Sequence, residues 1–333
     1  MHLTISKQAL FKSIIKINIW WAFFAPIILA TILSFIEVRR LFFLKDIVFY
    51  ASFVIVLFIG KSKGLLLYII KIALFVTYLI LITSLFFELH SWIIYSLRQL
   101  LAPLLIVGFG YYIKVVDNKA LSSIVNFLYK TSLWVIIFGV VFKLIHLWDH
   151  LDLTNYFNLK GIPVDENGMS YMFYEPAFSR AERMVSTVLD PVSLGHMIVA
   201  PLIMCYYGVF IEGKRRRKLL VVFFIGLLLT FSKGAILQAV LAIFFFNKRL
   251  SYTTRYLIPV LFVIVALLTI NINGILIHLF GVKNAIIYLN LFGHGLGEVG
   301  NYAKMFSDDL TTYLKFEISD TFIGSISFLT TLF

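Results

Sequence analysis

What governs the fold of this chain is the length of its uncharged stretches: residues 19–36, 72–87, 191–211 and 219–231 each pass without an Asp, Glu, Lys or Arg. A helix of about 20 apolar residues crosses the hydrocarbon of a bilayer. Inside it every peptide N–H and C=O must be paired within the protein, which only helices and closed barrels achieve. Because these runs are continuously apolar rather than alternating, they predict helices and not barrel strands. The expectation is an all-α, polytopic transmembrane helix bundle, with residues 1–333 forming a single integral membrane domain. Composition agrees: 61% of residues are hydrophobic, only 14% are charged and the mean hydropathy is +0.95, well outside the range of soluble domains.

Ten spans are expected, at about 19–36, 42–59, 64–87, 92–113, 124–148, 191–211, 219–231, 234–247, 256–280 and 319–333. With Lys7, Lys12 and Lys16 on the cytoplasmic side, alternation puts Lys61 and Lys63, Lys114 and Lys119, Lys214 to Lys218, and Lys248 with Arg249 there as well. That satisfies the tendency of basic loops to remain inside. The net charge of +12 therefore records membrane orientation, with 213–218 as a basic cytoplasmic loop. It does not mark a nucleic-acid surface, since no basic segment interleaves with base-stacking aromatics on a soluble domain. Lys143 and His146, near an outer helix end, are read as snorkelling. The single Cys205 lies in an apolar run, which excludes a disulfide framework or thiolate metal site and leaves a packing role.

The segment 219–246 decides the count. It holds 28 residues with basic groups beyond both ends and is interrupted by Ser232, Lys233 and Gly234. A single crossing would leave a basic loop on each side, so a short broken-helix hairpin is expected, its arms about 13 residues or roughly 20 Å long. Two polar stretches, 149–190 and 281–318, are expected as extracytoplasmic loops; within the first, 171–178 is amphiphilic and suited to lie along the interface.

Chemistry is expected where basic residues meet this outer side. Arg180 and Arg183 precede the sixth span, Lys233 stands at the hairpin turn, and His294 lies in the last large loop. A lysine within an apolar segment is costly unless it faces a cavity or an anion; the alternative is that it snorkels to the interface. Ser232 is placed to cap the second arm, so that Lys233 and the free N–H groups of that helix start form an anion seat. Asp190 stands at a capping position before Pro191, which opens the sixth helix. Arg98, about six residues into its run from the outer side, can reach the same cavity, although pairing with a neighbouring helix is the alternative.

The string RMVSTVLDPVSLGHMI at 183–198, followed by TFSKGAILQ at 230–238 and the Gly-x-Gly-Leu-Gly piece at 293–297, resembles the paired signature of the O-antigen ligase and Wzy-type polysaccharide polymerase superfamily. The likeness covers about 180–330. It departs from the family pattern in two places: Lys233 stands for the usual arginine, and Val192-Ser193 for the usual Asn after the proline. The chain ends about 13 residues into its last apolar run, where relatives continue, so the resemblance implies a truncated or shortened member.

The resemblance implies an integral-membrane glycosyltransferase of the bacterial cell membrane that polymerises oligosaccharide repeat units carried on undecaprenyl diphosphate, at the outer face. A ligase moving the glycan to another acceptor, or a flippase for the same lipid-linked substrate, are the alternatives. As the bond from the anomeric carbon to the diphosphate breaks, charge grows on the leaving group, and preplaced cations lower that barrier. Arg183 and Lys233 are the expected cations, with His294 as general base, Asp190 in reserve, and Arg180, Ser232, Gly234, Gly295 and Arg98 as substrate contacts. Neither a metal nor another cofactor is expected, because no acidic cluster has ligand spacing. Expected partners are the polyprenyl-diphosphate-linked glycan and membrane lipid, with flippase and chain-length regulator proteins alongside.

Overall fold

The computed structural model describes residues 5–35, 44–60, 63–86, 117–151, 153–159 and 181–247, together with residues 97, 101, 104–106, 110, 164, 170, 173–175, 251 and 257. The described helices are α1 (Ile5–Phe35), α2 (Leu44–Gly60), α3 (Lys63–Phe86), α4 (Asn118–Leu144), α5 (Thr154–Leu159), α6 (Pro191–Tyr206), α7 (Gly213–Leu229) and α8 (Lys233–Phe246). Among the described residues the fold is all-α apart from two two-residue antiparallel strands, β1 (Tyr174–Glu175) and β2 (Ala181–Glu182). Three of these helices are long and apolar enough to cross a membrane, over Ser6–Ser34, Leu66–Leu85 and Asn118–Leu144. Phe58 and Leu85, 78% and 74% exposed, each present a large apolar side chain of the kind that lipid tolerates and water does not. This is a membrane protein. The expected runs at 256–280 and 319–333, and most of 92–113, lie outside the described residues.

α1, α4 and α7 begin ahead of the expected apolar limits, whereas α4 and α6 stop at Leu144 and Tyr206, short of the expected 148 and 211. α1 takes in Lys7, Lys12 and Lys16, and α7 begins at Gly213, so the basic run of 213–218 is helix rather than loop. Lys and Arg are good helix formers, and one of them has an internal task. Arg216 donates from Nε to the Cys205 carbonyl at 3.0 Å and also to the Tyr206 carbonyl, closing the C-terminal end of α6 where the helix leaves carbonyls unpaired.

The chain divides into two compact units, Met1–Ile59 with Val115–Val263, and Gly60–Lys114 with Ile264–Phe333. In the second, α3 is the described helix, and Tyr68 donates to the Leu104 carbonyl at 2.7 Å. In the first, α6 packs against both α7 and α8, which make few contacts with each other, while α1 lies along α4. The core joins Tyr129, Val135 and Ile136 of α4, Leu194, Ile198 and Leu202 of α6, and Phe223 and Leu227 of α7. Gly226 lets α7 approach α4: a Cβ there would meet Ile136 Cδ1 at 2.7 Å.

Much of the expected outer loop at 149–190 is folded into this unit. Trp148, Phe157 and Phe173 are buried and pack edge to face, with ring centroids 5.4–5.7 Å apart. Phe173 thus points inward, whereas the amphiphilic stretch 171–178 was expected to lie along the interface. Met184 through Leu189 are buried, and a 3-10 turn at Ser186–Val188 is wedged among α1, α4 and α6. Its hydroxyls are satisfied by helix carbonyls: Ser186 donates to Val135 at 2.5 Å and Thr187 to Phe23 at 2.8 Å. Lys143 is tied down as well, donating to the Glu182 carbonyl at 2.6 Å, while His146 stands 4.0 Å from the Glu182 carboxylate.

Candidate functional site

The candidate site forms where three helix ends meet: the start of α6, the end of α7 and the start of α8. The interrupted apolar segment turns just ahead of the expected Ser232, Lys233 and Gly234. α7 stops at Leu229, Thr230 and Phe231 make the turn, and Ser232 is the N-cap of α8, its Oγ accepting from the Ala235 N–H at 3.4 Å. Thr230 holds the turn from within, donating to the Leu227 carbonyl at 2.7 Å and accepting from the Ser232 N–H at 3.3 Å. At the start of α6, Pro191 occupies the first turn and Asp190 is the N-cap. One carboxylate oxygen accepts from the Val192 N–H at 2.9 Å, and the other from the Ser193 hydroxyl. The Asp190 carboxylate is thus engaged in capping.

Arg183 ties these ends together. Its Nε donates to the Thr230 carbonyl at 3.1 Å and its Nη2 to the Phe231 carbonyl at 2.9 Å, across 47 and 48 residues of chain. The backbone beside it joins the same place: the Met184 N–H donates to the Leu229 carbonyl at 2.9 Å, and the Arg183 N–H to the Phe173 carbonyl at 2.7 Å. A cation at the C-terminal end of α7 is favoured by the helix dipole, and the planar fork fits two neighbouring carbonyls as an ammonium does not. Arg183 therefore occupies a structural position.

The turn that it grips is strained. Phe231 has φ of 49°, and on the α6 side Ser186 and Leu189 have φ of 55° and 57°. Each such residue without glycine's freedom costs on the order of 1 kcal/mol or more and persists only where its surroundings impose it.

The two helix starts come unusually close because Gly195 lies between them. A Cβ on Gly195 would stand 2.7 Å from Ser232 Cβ, 2.9 Å from Ala235 Cβ and 3.0 Å from Thr230 Oγ1. Lys233 and Gly234, the first residues of α8, are exposed, so the lysine stands on an open helix start rather than in an enclosed cavity. Among the expected site residues, the structure brings Arg183, Asp190, Ser232, Lys233 and Gly234 to one place. Arg98, Arg180, His294 and Gly295 lie outside the described residues. Among the described residues, no three of His, Cys, Asp and Glu cluster as metal ligands.

Two further side chains belong to this place, His196 and Gln238. His196 Nδ1 is 2.6 Å from Gln238 Oε1, joining α6 to α8 one turn beyond the helix starts. The signal for them is present in the sequence: His196 is the one imidazole in 191–206, and Gln238 the one polar side chain in α8 after Lys233.

Compared with family models, with curated proteins and with solved structures, the chain matches none.

Proposed function

We propose that this protein is a membrane glycosyltransferase that polymerises oligosaccharide units carried on a polyprenyl diphosphate, at the outer face of a bacterial cell membrane. The reading rests on one observation: Arg183 grips the turn that carries Lys233, so two cations from distant parts of the chain share one helix start. A diphosphate seated there meets the dipole and N–H groups of α8, an ammonium and a guanidinium.

The catalytic requirement is modest. The acceptor oxygen displaces the diphosphate from the anomeric carbon, and the charge that appears on the leaving group is met by groups already oriented, so little reorganisation is needed. Lys233 supplies a point charge and Arg183 an oriented one. Membrane lipid and the lipid-linked glycan are the partners, with a flippase delivering substrate and a chain-length regulator acting on the product.

Surface glycan from a strain lacking the gene separates the alternatives. One-repeat material is the expected result and marks a polymerase; full-length polymer that is no longer coupled marks a ligase; material held at the inner leaflet marks a flippase. Lys233→Ala is expected to lower long-chain glycan by at least about 10²-fold, the loss seen when one transition-state charge contact is removed, with membrane levels unchanged. Wild-type chain length in that variant would remove Lys233 from the reaction.

A further inference from the structure

The His196–Gln238 pair lies on the surface of the α6–α8 contact and not in its core. Each residue is the sixth of its helix, roughly 8 Å along the axis from the start, and each is exposed. Among apolar side chains such a pair is costly to present to lipid, which favours a polar, substrate-facing environment. An amide oxygen only accepts, so the imidazole donates from Nδ1 and, when neutral, keeps its lone pair on Nε2.

That nitrogen faces Gly234. A Cβ at 234 would lie 3.6 Å from Nε2, so the residue next to Lys233 is the one whose side chain would cover it, and that residue has none. The arrangement has the parts of a general base: a ring with one nitrogen held in a fixed tautomer, and the other open beside a cationic helix start.

We propose that His196 is the base of the transfer and Gln238 its positioning residue, a step that rests on the glycosyl-transfer reading above. Nε2 takes the proton of the acceptor hydroxyl as that oxygen bonds to the anomeric carbon. The bond from that carbon to the diphosphate oxygen breaks, and its electron pair leaves on the lipid diphosphate held at Lys233 and Arg183. The base is then His196 of α6 and not His294.

The test is complementation of the deletion strain, where the cell supplies the native substrate, with glycan chain length and membrane protein level read together. His196→Ala is expected to lower long-chain glycan by about 10²-fold or more. Imidazole added to the medium should restore at least about a tenth of the lost polymer. Gln238→Leu should fall about tenfold, and Gln238→Glu, which still accepts from Nδ1–H, should keep most of the activity. His196→Gln, a polar replacement with no basic nitrogen, should accumulate normally and stay inactive, which covers the case in which the alanine variant fails to fold. Wild-type polymer in His196→Ala or His196→Gln overturns the proposal and leaves the glycosyl-transfer reading standing. So does an inactive His196→Ala, present at normal level, that imidazole does not rescue. A deletion strain with unaltered glycan overturns the parent reading and this step together.

Discussion

Arg183→Lys is expected to abolish long-chain glycan although it keeps the positive charge. The lysine has the reach of one donor group and no fork, so it cannot span the Thr230 and Phe231 carbonyls as the guanidinium does at 3.1 and 2.9 Å. Hydrogen bonds to a charged partner contribute about 1.5–3 kcal/mol each. Losing them frees the end of α7 and the left-handed Phe231, and with it the position of Lys233. The measurement is twofold: thermal unfolding in detergent, which should drop for both Arg183→Lys and Arg183→Ala, and polymer length in complemented cells, which should fall by at least about 10²-fold. If Arg183→Lys is thermally weakened yet makes full-length polymer, a point charge suffices and the fork serves the fold alone.

The second large effect is expected from adding one methyl group. Gly195→Ala places a Cβ 2.7 Å from Ser232 Cβ and 2.9 Å from Ala235 Cβ, atoms fixed to their backbones that cannot rotate away. Ordinary carbon contact is about 3.5–4 Å, so the starts of α6 and α8 must part by roughly 1 Å. Overpacking of this kind costs about 1–3 kcal/mol. Because a shift of about 1 Å in positioned groups can cost on the order of 10²-fold in rate, activity should suffer more than stability. Gly234→Ala is the steric control: its Cβ meets only His196, at 3.6 and 3.7 Å, and should leave folding intact. Equal thermal stability of Gly195→Ala and wild type would show that the two helices are not held at that distance.

Much of this arrangement was legible in the residues. Ser232 marks the break between α7 and α8, and the order Asp190, Pro191 marks the start of α6, because caps and breakers act locally and leave a local mark. The reach of α7 back to Gly213 is hidden because the charges that end an apolar run do not end a helix, lysine and arginine being good helix formers. What could not be read was the fate of Arg183 and of 184–189. Their partners are backbone carbonyls of Phe23, Val135, Leu229, Thr230 and Phe231, and a carbonyl is the same in every residue, so no side-chain pattern announces it. The His196–Gln238 pair was hidden for a related reason: its meaning depends on α6 and α8 starting at the same level, which Gly195 allows and one-dimensional spacing does not reveal.

The shortness of the helices around the turn carries a consequence for the lipid itself. At 1.5 Å per residue, α6, α7 and α8 measure about 24, 26 and 21 Å, against roughly 30 Å of hydrocarbon. On the proposed function, a bilayer that thins to match such helices would lower lipid headgroups toward Lys233, so that deforming the membrane would take the place of reaching up for the substrate.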